Sequence, residues 1–195
     1  MKTAPRRFGL VALIIIFLIL YGYFSTLGQP VSLQSTPPVP NGDLVTIGDL
    51  GGSHLLQNLT YSDERTYYRI RIETRLNRPS IIADEIVTPK TRVRQVSNTE
   101  PIIVNGQERT LTTLGEWRIQ ADLSDTRTTE LDGDELVPVF VGPDVLRVNE
   151  APLTEIRLNY DPDGSTVQVL IGLSEQSIFR VDDDGAGAIY IDILK

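Results

Sequence analysis

Residues 153–173 read LTEIRLNYDPDGSTVQVLIGL, and this stretch decides the fold. Apolar side chains occupy every second position on both sides of a polar turn, which is the pattern of half-buried β-strands. In the turn, Pro162 presets a negative φ and Gly164 accepts a positive one, so residues 161–164 reverse the chain. The apolar positions are Ile156, Leu158, Tyr160, Val167, Val169, Ile171 and Leu173. The stretch therefore predicts two strands joined by a turn.

The same alternation recurs along the chain after residue 43. It is found in residues 66–75, 116–123, 137–141, 145–148, 178–181 and 188–194. Asn105-Gly106 joins residues 102–104 to residues 107–111, and Asn-Gly between two such runs is typical of a two-residue hairpin. No ten-residue window after residue 30 has a helical period. We expect residues 43–195 to form an all-β domain, an antiparallel β-sandwich or a partly open barrel.

Residues 125–135 (DTRTTELDGDE) are polar, lack an apolar period and mark a candidate seam within this domain. We prefer a single unit, because the piece after the seam is small for an independent core.

An apolar run precedes the domain. Residues 8–24 (FGLVALIIIFLILYGYF) carry no charge, and a helix extended to Leu27 reaches about 30 Å, the hydrocarbon thickness of a bilayer. Basic residues flank only its first end, which by the positive-inside rule leaves the N-terminus in the cytoplasm. We therefore expect a basic cytoplasmic tail at 1–7, a single-pass transmembrane signal-anchor at 8–27, and an extracytoplasmic domain that is periplasmic or on the cell surface.

A cleaved signal peptide is the alternative to the anchor, although the run is long for one and the best cleavage site, Thr26-Leu27-Gly28, is poor. No Cys follows the run, which excludes a lipid-anchored lipoprotein. Residues 28–42 contain four of the 12 prolines and predict a stiff, extended linker between membrane and domain.

Composition excludes several classes of function. The chain has 195 residues, no Cys and one His, so disulfide frameworks, zinc fingers, iron–sulfur clusters and Cys nucleophiles are impossible. The formal charge of −8 hides an asymmetry. Three basic residues precede the apolar run and no acidic residue precedes Asp43, so the exported part has 15 basic and 26 acidic residues, a net charge of −11. Such a domain disfavours nucleic acid as a partner.

Five residues are the candidate binding site. Tyr67, Arg69 and Arg71 share one face of a predicted strand, and Arg92 and Arg94 share one face of another. If these strands neighbour each other, the five side chains form an Arg/Tyr stripe on an acidic body. Arginine suits carboxylates and phosphates, so the stripe predicts contact with an anionic envelope polymer or an acidic protein. A solvated sheet face with cross-strand ion pairs is the alternative.

Other candidate sites are weaker. His54 follows Gly51-Gly52 and fits a strand entry, since no nucleophile motif accompanies it. Asp182-Asp183-Asp184 offers oxygen ligands for Ca²⁺ but lacks the register of an EF-hand, so an acidic hairpin tip is the simpler interpretation. We expect no metal, no cofactor and no catalytic residue.

Residues 165–194 (STVQVLIGLSEQSIFRVDDDGAGAIYIDIL) resemble the ending of AMIN-type domains. In that family a strand is followed by an aromatic-x-Val strand, a polar loop and a closing apolar strand that contains Asp. Here Phe179-Arg180-Val181 and Asp192 match these features. The resemblance implies a small β-sandwich of the cell envelope that binds peptidoglycan or targets a partner, and it supplies no catalytic residues. No amidase or secretin domain accompanies it here.

Together these features predict a non-enzymatic, membrane-anchored scaffold or binding module of the cell envelope. Its partners would be the bilayer, through residues 8–27, and an envelope polymer or protein. The alternative is a single-pass accessory subunit of a larger respiratory, photosynthetic or secretion complex. An exported hydrolase is a third class, since paired carboxylates across a cleft are not visible in sequence.

Overall fold

A computed structural model describes residues 43–77, 88–104, 107–161 and 164–195. The basic tail, the anchor run and the linker lie outside these residues. Within them, no helix has the length and apolar character needed to cross a membrane. The described residues form an all-β, sandwich-like fold with antiparallel sheets, and their only helical element is a short 3₁₀ turn at Thr112–Leu114.

Fifteen strands follow one another along the described chain. They are β1 (Val45–Ile47), β2 (His54–Asp63), β3 (Tyr67–Leu76), β4 (Thr91–Ser97), β5 (Ile102–Val104), β6 (Gln107–Arg109), β7 (Trp117–Ser124), β8 (Thr126–Arg127), β9 (Thr129–Asp132), β10 (Glu135–Pro138), β11 (Val145–Glu150), β12 (Leu153–Tyr160), β13 (Thr166–Leu173), β14 (Phe179–Asp183) and β15 (Ala188–Leu194).

Two large sheets build the sandwich. One has six strands in the order β1-β4-β7-β13-β12-β11, and the other has five in the order β14-β15-β3-β2-β8. Every pairing in them is antiparallel except that of β2 with the two-residue β8. β8, β9 and the first residue of β10 lie within the predicted seam at 125–135, yet strands from both sides of the seam share each large sheet.

One hydrophobic core lies between the two sheets. Alternation turns Ile70 of β3 and Ile191 of β15 inward from one sheet, and Val169 and Ile171 of β13 inward from the other, and all four are fully buried. Burying a side chain of this size contributes about 1.5–3 kcal/mol. The outward positions of β3 and β15 are mostly polar, whereas β13 places Leu170 on its outward side.

A flap, formed by residues 98–116, covers the outer face of the six-stranded sheet. It contains the β5–β6 hairpin that Asn-Gly predicts, with Ile102 opposite Arg109. Ile102 and Leu114 pack on Leu170 of β13 as a second small apolar cluster. Asn98, at the start of the flap, donates its side-chain amide to the carbonyl oxygen of Gly115 at 3.1 Å and ties the two ends together.

Arg118 of β7 lies beneath the flap and is fully buried. Its Nη1 donates to the carbonyl oxygen of Glu100 at 2.8 Å and, at 3.3 Å each, to the carbonyl of Ser97 and to Oδ1 of Asn98. Burial lowers the pKa of this guanidinium, because removal from water penalises the charged form. The flap is thus held by a buried cation that bonds neutral oxygens.

A two-stranded arm of residues 129–138 (β9 and β10) extends from the sandwich, with Leu131 opposite Leu136. Gly133 takes a φ of 64° at the first central position of its two-residue turn, where glycine is favoured. The expected strand at residues 137–141 is wrong in its extent, since β10 ends at Pro138 and pairs back with β9. Proline lacks the N–H that would continue a ladder, and Phe140 instead turns into the core.

Candidate binding surface

The structure separates the five residues of the predicted Arg/Tyr stripe. Tyr67, Arg69 and Arg71 lie on β3 of the five-stranded sheet, whereas Arg92 and Arg94 lie on β4 of the six-stranded sheet. The two sheets pack inner face against inner face, so their outward side chains point away from each other. The expected single stripe therefore does not form, because alternation along a strand gives its outward positions but not its neighbours.

A different set of residues joins the β3 group. In the antiparallel register, Arg69 lies opposite Asp192 of β15, which in turn lies opposite Arg180 of β14. In the next row, Arg71 lies opposite Tyr190. We call this outward surface the Arg/Tyr face, and its members are Tyr67, Arg69, Arg71, Arg180, Tyr190 and Asp192.

Arg69 is the most rigidly held cation of the Arg/Tyr face. Its Nε and Nη2 donate to the two carboxylate oxygens of Asp192 at 2.7 and 2.8 Å. Its guanidinium carbon lies 5.0 Å from the ring centroid of Tyr67 and 5.1 Å from that of Tyr190. The hydrogen bonds to Asp192 raise the pKa of Arg69 above its ordinary value. The side chain of Arg69 therefore loses its rotamer entropy when the domain folds. A ligand that binds it does not have to order it again.

Arg71 and Tyr190 extend the face along the strands. The guanidinium carbon of Arg71 lies 6.0 Å from the ring centroid of Tyr190, and the side chain forms an ion pair with Glu73. Its side chain is 44% exposed, against 23% for Arg69, so Arg71 offers the more accessible charge. The hydroxyl of Tyr190 donates to Asp184 Oδ2 at 3.3 Å, which fixes the ring.

Arg180 has the least satisfied guanidinium of the face. Its buried Nε has no hydrogen-bond partner among the described residues. The six ion pairs between described residues do not include Arg180. A buried donor without an acceptor is costly, so Arg180 is the least favourably placed cation of the face.

Burial distinguishes the two outer faces of the sandwich. On the six-stranded sheet, Arg118, Gln120 and Leu170 point outward yet are buried. On the five-stranded sheet the outward members of the Arg/Tyr face are half-buried or exposed. Arg94 lies only 3.8 Å from Glu100 of the flap, so the second half of the expected stripe lies beside a covered surface. The flap thus covers part of that outer face but leaves Arg92 and part of Arg94 exposed.

His54 and the Asp182–Asp184 cluster, the weaker candidate sites, both have a role in holding the fold. His54 is the fully buried first residue of β2, and its N–H donates to the carbonyl oxygen of Asp125 at 2.7 Å. Asp183 and Asp184 accept backbone N–H groups of Gly185 and Ala186 at 2.9 and 2.8 Å, as in a carboxylate-stabilised turn. No group of three or more His, Asp or Glu side chains suited to a metal ion occurs in the described part of the chain.

No protein-family model, curated protein or solved structure matches this chain. The resemblance of residues 165–194 to AMIN-type domains therefore stays a prediction. In the structure these residues are β13, β14 and β15, and the loop after β14 carries Asp184. The chemistry of the surface has to be argued from its own residues.

Taken together, the Arg/Tyr face is suited to binding. Guanidinium groups donate planar pairs of hydrogen bonds to carboxylates and phosphates, and the aromatic rings offer flat apolar contact. Aspartates beside them neutralise part of the charge. The surface therefore favours a ligand that presents anionic groups at intervals together with apolar or ring surfaces.

Proposed function

We propose that this chain is a non-enzymatic, membrane-anchored, extracytoplasmic binding module of the cell envelope. In this proposal the apolar run at 8–27 anchors the chain, and the Arg/Tyr face contacts an anionic envelope polymer. The observation that carries it is the cluster of arginines and tyrosines on the five-stranded sheet, where Arg69 is fixed by Asp192 and two rings and Arg71 beside it is 44% exposed.

The acidic character of the exported part adds a requirement. A domain with a net charge of −11 gains no long-range attraction to an anionic polymer, so recognition has to be local. Arg69, held by Asp192, and Arg71, whose side chain is 44% exposed, meet this requirement at short range. Binding should consequently be salt-sensitive and weak for each site, and strengthened when many modules lie on one membrane.

A retention assay on purified cell wall tests the proposal with the full chain in detergent. Arg71→Gln/Arg180→Gln removes two charges from the Arg/Tyr face, while Arg92→Gln/Arg94→Gln removes two from the other sheet. At about 0.5–1 kcal/mol for each exposed ionic contact, the first variant should bind roughly 5- to 30-fold more weakly. The second should bind like wild type. Equal retention of all three proteins would refute the proposed face.

Native-size analysis after mild solubilisation separates this proposal from the accessory-subunit alternative. A binding module should migrate at the mass of its own chain or a small multiple of it. Stable co-migration with other membrane subunits would instead identify an accessory subunit.

A further inference from the structure

An exposed apolar surface lies on the arm of residues 129–138. Leu131 and Leu136 face each other across its strands and are 62% and 52% exposed, and Val137 is 42% exposed. An isolated two-stranded hairpin is marginally stable in water. The arm is fixed at its base, where Arg75 pairs with Glu130 at 2.5 Å, but its Leu pair buries little surface within its own chain. An exposed leucine pair offers apolar surface that a second molecule can bury.

A groove of matching character lies along the same edge of the sandwich. Its volume is about 330 Å³, and it separates β2 of one sheet from β11 of the other. Its lining residues are Leu59, Thr60, Tyr61, Leu146, Arg147, Val148 and Glu150. The hydroxyl of Tyr61 donates to Glu150 Oε2 at 2.7 Å and links the two sheets at the groove. We call this feature the edge groove.

Both walls of the edge groove are open strand edges. β11 pairs only with β12, and beyond Leu55 the outer side of β2 has no strand partner among the described residues. Exposed strand edges beside apolar side chains are prone to unwanted pairing unless something covers them. A strand-shaped apolar occupant fits such a groove better than a compact solute does.

The arm and the edge groove fit each other in length and charge. Each strand of the arm has four residues and spans about 13 Å, close to the stretch from Leu146 to Glu150. Arg147 is the basic residue of the groove, and no ion pair to a described residue includes it. The arm carries Asp132 and Glu135 beside its leucines.

We propose that a second copy of this chain occupies the edge groove, with the arm of each copy seated in the groove of the other. Arm and groove belong to the same edge, since β8 pairs with β2 and leads into the arm, and the arm is followed by β11. A two-fold axis can therefore satisfy both contacts at once and close the assembly as a dimer. The reciprocal contact buries both leucine pairs and covers the four open strand edges.

Thiol cross-linking of the full chain in detergent tests this arrangement, because the chain contains no Cys and each introduced thiol is unique. Leu136→Cys protein mixed with Val148→Cys protein should give a disulfide-linked heterodimer on mild oxidation. Leu136→Cys mixed with Ile178→Cys is the matched control, since Ile178 is 50% exposed but lies next to β14, at the opposite side of the sheet. We expect at least a tenfold difference in yield, and equal yields would overturn the proposal.

A second measurement does not depend on new thiols. Wild type should show twice the mass of the chain in detergent-corrected sedimentation, and Leu131→Asp/Leu136→Asp should show the monomer mass. Both positions are solvent-exposed, so the variant should keep the fold. A monomeric wild type would overturn the proposal, as would a dimer that survives the double substitution. A wild type that is monomeric when pure but part of a larger assembly in membranes would assign the arm to a different subunit.

Discussion

Replacing Arg118 by Met should loosen the flap and lower the stability of the domain. Methionine has a similar reach but no donors. The carbonyl oxygen of Glu100, which accepts from Arg118 at 2.8 Å, and Oδ1 of Asn98, which accepts at 3.3 Å, therefore lose their donor. A hydrogen bond from a charged donor contributes about 1.5–3 kcal/mol, and an orphaned buried acceptor costs about 1–3 kcal/mol. The variant no longer buries a charged guanidinium, and this gain offsets part of the lost stability. We expect the free energy of unfolding to fall by about 2–4 kcal/mol.

The matched control is Arg92→Met, which removes an exposed arginine from the same outer face and should change stability by less than about 0.5 kcal/mol. Urea denaturation of the full chain in detergent gives the free energies. Amide hydrogen exchange of residues 98–116 shows whether the loss is local, and protection there should fall more than in β13. If Arg118→Met is as stable as wild type, or if exchange of the flap is unchanged, the guanidinium does not hold the flap.

Two further predictions concern the flap and the acidic loop. Gly172→Ala should lower the free energy of unfolding, measured by urea denaturation, by about 1–3 kcal/mol. The added Cβ would lie 2.5 Å from both the carbonyl oxygen of Leu114 and Oγ1 of Thr154. An unchanged denaturation midpoint would show that the flap adjusts freely. Asp182→Asn should stabilise the domain at neutral pH, because burial raises the pKa of Asp182 and ionisation therefore opposes folding. The gain should shrink as pH falls through the raised pKa and vanish below the ordinary value of 3.8, where the carboxyl is protonated in both states. A gain that persists below that pH would contradict this cause.

The strands with the strongest alternation could be predicted from the sequence. Residues 153–160, 166–173 and 188–194 are β12, β13 and β15 with the expected bounds, because one face of each is buried and the flanking residues favour turns. β8 and β9 could not be predicted in the same way. They have two and four residues and gain little burial, so their sequence keeps the polar character of a loop.

The candidate surface was predictable only in part. Outward positions of β3 follow from its period of two, which is why Tyr67, Arg69 and Arg71 were identified together. Their true neighbours, Arg180 and Tyr190, lie more than a hundred residues further along the chain and reach them only through strand order. Local sequence carries no signal for that order. Polar side chains at the outward positions Arg180, Tyr190 and Asp192 are the available clue, and they are also what an ordinary solvated strand shows.

The order of the five-stranded sheet has a consequence for how fast the domain forms. Its central pair is β3 with β15, so Ile70 meets Ile191 only after nearly all the intervening chain has been placed. Closing so long a loop costs entropy before the pairing returns any stability. Domains dominated by such distant pairings fold in milliseconds to seconds, far more slowly than helical bundles. We therefore expect a slow search in which the β2–β3 hairpin keeps one edge of β3 open, and prone to aggregation, until the β14–β15 hairpin docks against it.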